Sequence, residues 1–86
     1  MNEIDWKPKA LKQLRKIPSQ DGAAIRRSVN EELVDLNQAR NVKALVNHDY
    51  GYRLRVGNYR VFFDYEGGTV CIVTIEEVRK RDERTY

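Results

Sequence analysis

From Tyr52 to Tyr65 the chain runs through two stretches of β-prone residues on either side of a Gly57–Asn58 pair, and this constrains its fold more than any other feature. Apolar residues at every second position mark a strand with one buried face, and a Gly–Asn pair makes a two-residue hairpin turn. That turn length sets the register, with Val56 opposite Tyr59, Arg55 opposite Arg60, Leu54 opposite Val61 and Arg53 opposite Phe62. Leu54, Val56, Tyr59 and Val61 then share the core face, while Arg55 meets Arg60 on the other face with Arg53 beside them. Like charges directly opposed across strands destabilise by a few tenths to about 1 kcal/mol. Such a cluster of guanidiniums calls for an anionic partner, and RNA phosphate suits it because a planar guanidinium fork grips two phosphate oxygens. The competing readings are that Asp64 or Glu66 neutralises the arginines, or that the face is simply a solvated surface.

The rest of the chain supplies what the hairpin's apolar face needs. Glu3–Trp6 is a short candidate strand, and Pro8 fits a first helical position, where its missing N–H costs nothing. Ala10, Leu11, Leu14 and Ile17 form one helical stripe, with Lys7, Lys9, Lys12, Arg15 and Lys16 on the wet side. Pro18 stops this helix and Ser19 is the expected N-cap of the next. Ile25, Val29, Leu33 and Leu36 stripe the second helix, which fades near Asn37–Asn41. A polar connection from Asn41 to Asp49, including Leu45 and Val46, leads into the hairpin. Gly67–Gly68 turns the chain again, and Thr69–Val78 is the third strand of a meander. Its run Val70–Ile75 is apolar on both faces apart from Thr74, as expected of a covered, central strand. The expected fold is therefore α+β: a short N-terminal strand and a two-helix hairpin packed on a mainly antiparallel β-meander sheet.

Eighty-six residues make a single domain spanning 1–86. The lone Cys71 leaves no internal disulfide and, inside an apolar run, is expected to be a small buried hydrophobe. The acidic opening Met1–Asp5 has no apolar stretch of the kind that directs export, and no segment approaches the ~20 apolar residues of a membrane span. A cytoplasmic protein is expected. The net charge of +3 is uninformative by itself, because residues 46–86 hold seven basic and seven acidic groups. Any basic site must arise from where the charges sit once folded.

In the tail, Arg79, Lys80, Arg81 and Arg84 lead to Tyr86, whose ring offers a face for stacking on an exposed base. Glu76, Glu77, Asp82 and Glu83 intersperse these cations, as they would in a frayed tail. His48 precedes the basic strand and is either a general base or an ordinary loop residue between Asn47 and Asp49. One histidine and one cysteine make no metal-ligand cluster, and no metal or cofactor is expected.

The segments Pro8–Leu14, Tyr52–Val61 and Val78–Tyr86 together resemble the RelE/ParE toxin superfamily over nearly the whole chain. The hairpin motif is shared by both branches. The basic pair Lys80 and Arg81, with Tyr86 several residues on, resembles the RelE branch. That resemblance implies a type II toxin paired with a cognate antitoxin, acting as a metal-independent endoribonuclease on mRNA in the ribosomal A site. Arg53 and Arg55 stand where relatives often carry lysine, and would help activate the 2′-OH and neutralise the phosphate. Arg60 would stabilise the phosphorane, Arg81 would sit near the leaving 5′-oxygen, and Tyr86 would stack on the base and take part in proton transfer. Lys80, Arg79 and Arg84 would bind substrate. Arginine keeps its proton at any ordinary pH, so the base would be Tyr86 or His48. With Tyr86 as the last residue, its α-carboxylate would oppose phosphate binding unless Arg84 or Lys80 pairs with it. The alternatives are a ParE-like gyrase inhibitor and a non-catalytic RNA-binding member of the fold.

Overall fold

The structure is a computed structural model describing residues 2–80. Strand β1 (Glu3–Trp6) leads into helices α1 (Pro8–Arg15) and α2 (Ser19–Glu32), followed by a 3-10 turn at Leu36–Gln38. Strands β2 (Val42–Ala44), β3 (Tyr52–Val56), β4 (Tyr59–Glu66) and β5 (Ile72–Lys80) complete the chain. They form one five-stranded sheet in the order β1-β5-β4-β3-β2. Only β1 runs parallel to its neighbour, with Glu3 beside Ile72 and Trp6 beside Ile75. The expected α+β architecture is therefore present.

Both helices cover one face of the sheet. Ala10 and Leu14 of α1, with Ile25, Val29 and Leu33 from α2 and its end, pack on Leu54, Val61, Phe63, Val73, Ile75 and Val78. Pro8 opens α1 as expected. Pro18, not Ser19, caps α2: its extended backbone (φ −50°, ψ 141°) turns the chain, and its carbonyl accepts the Gly22 N–H at 2.9 Å. Ser19 is already helical, and Asp21 supplies the negative charge that suits a helix N-terminus. The second helix also ends sooner than its apolar stripe suggests. Leu36 reaches the core from the 3-10 turn, which Asp35 opens by accepting the Asn37 N–H at 3.0 Å.

The hairpin has the expected register throughout, from Val56 against Tyr59 to Arg53 against Phe62. Gly57 sits at φ +55°, the left-handed conformation such a turn requires and side chains disfavour. Two departures matter for the site. The polar connection contains β2, which pairs Val42 with Leu54 and Lys43 with Arg53. The last strand starts at Ile72, leaving Val70 exposed and Cys71 only half-buried, and it extends to Lys80. Arg79 and Lys80 are thus strand residues, not tail.

A bulge interrupts β4–β5: Phe62 faces Glu77 while Phe63 faces Ile75, so Glu76 is extra. It keeps Val73, Ile75 and Val78 in the core despite their uneven spacing. Beyond the end of β1, α1 takes over the edge of β5. Ile75 carbonyl accepts the Lys7 N–H at 2.9 Å, and the Val78 N–H donates to Gln13 Oε1 at 2.6 Å.

Candidate functional site

The sheet face away from the helices carries the charge. Because Leu54, Val61 and Val78 point into the core, their strand neighbours point outward. Arg55, Arg60 and Arg79 are successive cross-strand partners on β3, β4 and β5 and make one row of guanidiniums. The adjoining row runs Lys43, Arg53, Phe62 and Glu77 across β2 to β5. The folded sheet therefore assembles a basic face that the count of charges along the chain conceals. Asp64 is occupied elsewhere, accepting the Gly51 N–H at 2.7 Å. The carboxyl of Glu76 is raised by the neighbouring Asp64 carboxyl and by burial. Arg53 Nε is buried and lacks a hydrogen-bond partner among the described residues.

Glu77, only 4% exposed, organises one end of this face. It accepts Arg79 Nε at 2.6 Å, the Tyr50 hydroxyl at 2.8 Å and Gln13 Nε2 at 3.4 Å, and Lys9 Nζ lies 3.7 Å away. Burial alone pushes its carboxyl up, but the Arg79 and Tyr50 hydrogen bonds, with the charges of Arg79 and Lys9, outweigh this and hold it at about 2. The same contact raises Tyr50, which keeps its proton and donates it, and raises Arg79. One carboxylate thus ties the loop before β3, helix α1 and the Arg79 side chain together.

The loop lies over the outward-facing Phe62. The His48 ring stacks on Phe62 with centroids 5.2 Å apart and planes 11° from parallel, Tyr50 tilts against the same ring, and the Arg79 guanidinium stands 5.7 Å from its centroid. Asn47 takes a left-handed conformation (φ 54°) immediately before His48. The Tyr50 N–H donates to His48 Nδ1 at 3.2 Å, which places the neutral ring's proton on Nε2.

The residues singled out from sequence are thus partly assembled. Arg53, Arg55, Arg60 and Arg79 share the open face, and His48 borders it on Phe62. Lys80 pairs with Tyr59 and lines a cavity of about 300 Å³ on the helix side with Asp21 and Val56. Arg81, Arg84 and Tyr86 lie outside the described residues. Sequence reasoning missed Lys43, Tyr50, Phe62 and Glu77. Two signals were present: consecutive Phe62 and Phe63 imply that both sheet faces are covered there, and Ile75 and Val78 break the period of two. Among the described residues no group of three or more His, Cys, Asp or Glu side chains could hold a metal, and no helix is long and apolar enough to cross a membrane.

Comparison with known proteins gives this geometry a lineage. The family model for the ParE toxin of the type II toxin-antitoxin system, parDE, matches residues 4–83. In fold the chain is similar to the toxin-antitoxin complex RelBE2 from Mycobacterium tuberculosis, with TM-score 0.73 and 21% identity over 93% of this chain and 98% of that one. It is also similar to the RelB-RelE antitoxin-toxin complex from Methanococcus jannaschii, with TM-score 0.65 and 23% identity over 88% of each chain. Among curated proteins none matches the sequence. The two structural likenesses speak for the fold, and the family match carries the assignment: the chain belongs to the ParE toxin family, a type II toxin of the RelE/ParE superfamily.

Proposed function

We propose that this toxin is a metal-independent endoribonuclease that cleaves mRNA in the ribosomal A site, held in check by a cognate antitoxin covering its basic face. The observation carrying this reading is the Arg55–Arg60–Arg79 row, with Arg53 beside it, on a face the helices leave open. Cross-strand like charges cost stability. An RNA backbone, with regularly spaced anionic oxygens, would offset that cost on binding.

In the proposed reaction the ribose 2′-oxygen attacks the adjacent phosphorus and the bond to the 5′-oxygen breaks, leaving a 2′,3′-cyclic phosphate and a 5′-hydroxyl. Arg60, central in the row, meets the phosphorane, whose added charge rewards donors already in place. Arg53 and Arg55 neutralise the non-bridging oxygens. Arg79, its Nε held by Glu77, presents an oriented fork to the backbone. By family resemblance Arg81 attends the leaving oxygen and Tyr86 the base, with Arg84 on the backbone. Lys80, on the helix side, meets RNA only away from this face. The base is Tyr86 or His48, since the arginines stay protonated.

Primer extension on programmed ribosomes with purified protein tests the reading. New 5′ ends at A-site codons are expected, and Arg60→Ala should slow cleavage about 100-fold or more. A second reading, inhibition of DNA gyrase, draws on the ParE name of the matching family model. Intact mRNA together with gyrase-dependent DNA breaks would establish it instead. Copurification with the protein encoded beside it tests the antitoxin partner, for which both similar structures, being toxin-antitoxin complexes, give support.

A further inference from the structure

We propose that the outward face of the His48 imidazole is a stacking platform for one base of the bound RNA, which deepens the ribonuclease reading and rests on it. Phe62 is a large ring on the sheet face the helices do not cover, yet it is only 5% exposed. What buries it is the loop before β3, and the loop does so with flat rings rather than aliphatic side chains. His48 lies nearly parallel to Phe62, 11° off at 5.2 Å, while remaining exposed itself. One π-face is therefore seated and the other is presented to solvent.

The ring is also held in orientation. The left-handed turn at Asn47 delivers it, and the Tyr50 N–H fixes Nδ1, while the Tyr50 hydroxyl is anchored on the buried Glu77. A ring so held loses little freedom when a base stacks on it. Its surroundings suit single-stranded nucleic acid. Phe62 is flanked in register by Arg53, with Lys43 beyond it, and Arg79 stands over the same ring. A flat aromatic face bordered by cations that track a backbone is how single strands are bound without reading base edges. A general-base role would use the imidazole's proton chemistry; the platform uses only its shape.

That difference makes the test sharp. Single-turnover cleavage on programmed ribosomes is compared for the unaltered protein, His48→Ala and His48→Phe, using mRNAs with an abasic nucleotide at each position in and around the A-site codon. His48→Ala should slow cleavage about ten- to a hundred-fold, the range of one lost base stack. His48→Phe, which keeps a flat ring and has no proton to move, should recover most of the rate that His48→Ala loses, whereas a general base at His48 would leave both variants equally slow. At one nucleotide position the abasic substrate should slow the unaltered protein and add nothing to His48→Ala. The platform is overturned if His48→Ala cleaves at the unaltered rate, if His48→Phe is as slow as His48→Ala, or if the losses multiply at every position. If the unaltered protein leaves all mRNAs intact, the ribonuclease reading itself fails and the platform falls with it.

Discussion

At the scale of single residues, Glu77 and Arg55 pull stability in opposite directions. Glu77 is nearly buried and satisfied by partners from three parts of the chain, which hold its carboxyl at about 2 against an ordinary 4.5. An acid depressed on folding stabilises the native state above its ordinary value, and the contribution is lost as pH falls through the folded value. The stability of the protein should therefore decline between about pH 5 and pH 2, with Glu77 supplying on the order of 3 kcal/mol of the change. Urea unfolding across this range should show a visibly flatter slope for Glu77→Gln, which should also be less stable at neutral pH by about 1–3 kcal/mol. Arg55 behaves otherwise, since it is exposed and directly opposite Arg60. Arg55→Ala should leave stability unchanged or raise it by up to about 1 kcal/mol, and should weaken RNA binding. A simultaneous loss of both would mean that Arg55 is structural, and the same urea series measures it.

Elements respond to backbone demands that two glycines separate cleanly. Gly57 sits at φ +55° in the hairpin turn with open space where a Cβ would lie, so Gly57→Ala carries only conformational strain, about 1–2 kcal/mol of lost stability. Gly22 lies inside α2, where a Cβ would meet Leu14 atoms at ordinary distances of 3.7 and 3.8 Å. Gly22→Ala should stabilise by about 0.5–1 kcal/mol. Thermal melts of the pair should move in opposite directions. The hairpin was legible in the sequence for the same reason Gly57 matters: a two-residue turn fixes every partner along both strands. The helices were legible because their stripes recur at three and four. Strand β2 was not, because Val42–Ala44 is too short to show a period and owes its place to pairing with β3. Nor was the cap of α2, where Pro18 does by backbone geometry what a side chain at Ser19 was expected to do. Of the candidate site, the Arg53–Arg55–Arg60 group followed from register. Arg79 joined it, and Lys80 left it, only once the bulge had set which face each residue takes.

For the whole molecule, the basic face is a property of the finished sheet, and salt should report on it. Binding to single-stranded RNA should weaken linearly on a log–log plot, and removing one phosphate-contacting arginine such as Arg55 should reduce the slope by about 0.7. Filter binding at several salt concentrations measures this. A chain truncated before Ile72 loses the strand that lies between β1 and β4, and circular dichroism should show it unfolded. The pairing of β1 with β5 joins residues as distant in sequence as Glu3 and Ile72. A nascent chain emerges from its N-terminus, so β1 must wait without a partner until β5 has been made. The Arg60–Arg79 pairing waits for the same strand. If its target is translation, this toxin is harmless to the ribosome building it until β5 has emerged, and the interval before sheet closure is time in which an antitoxin already in the cell can capture it.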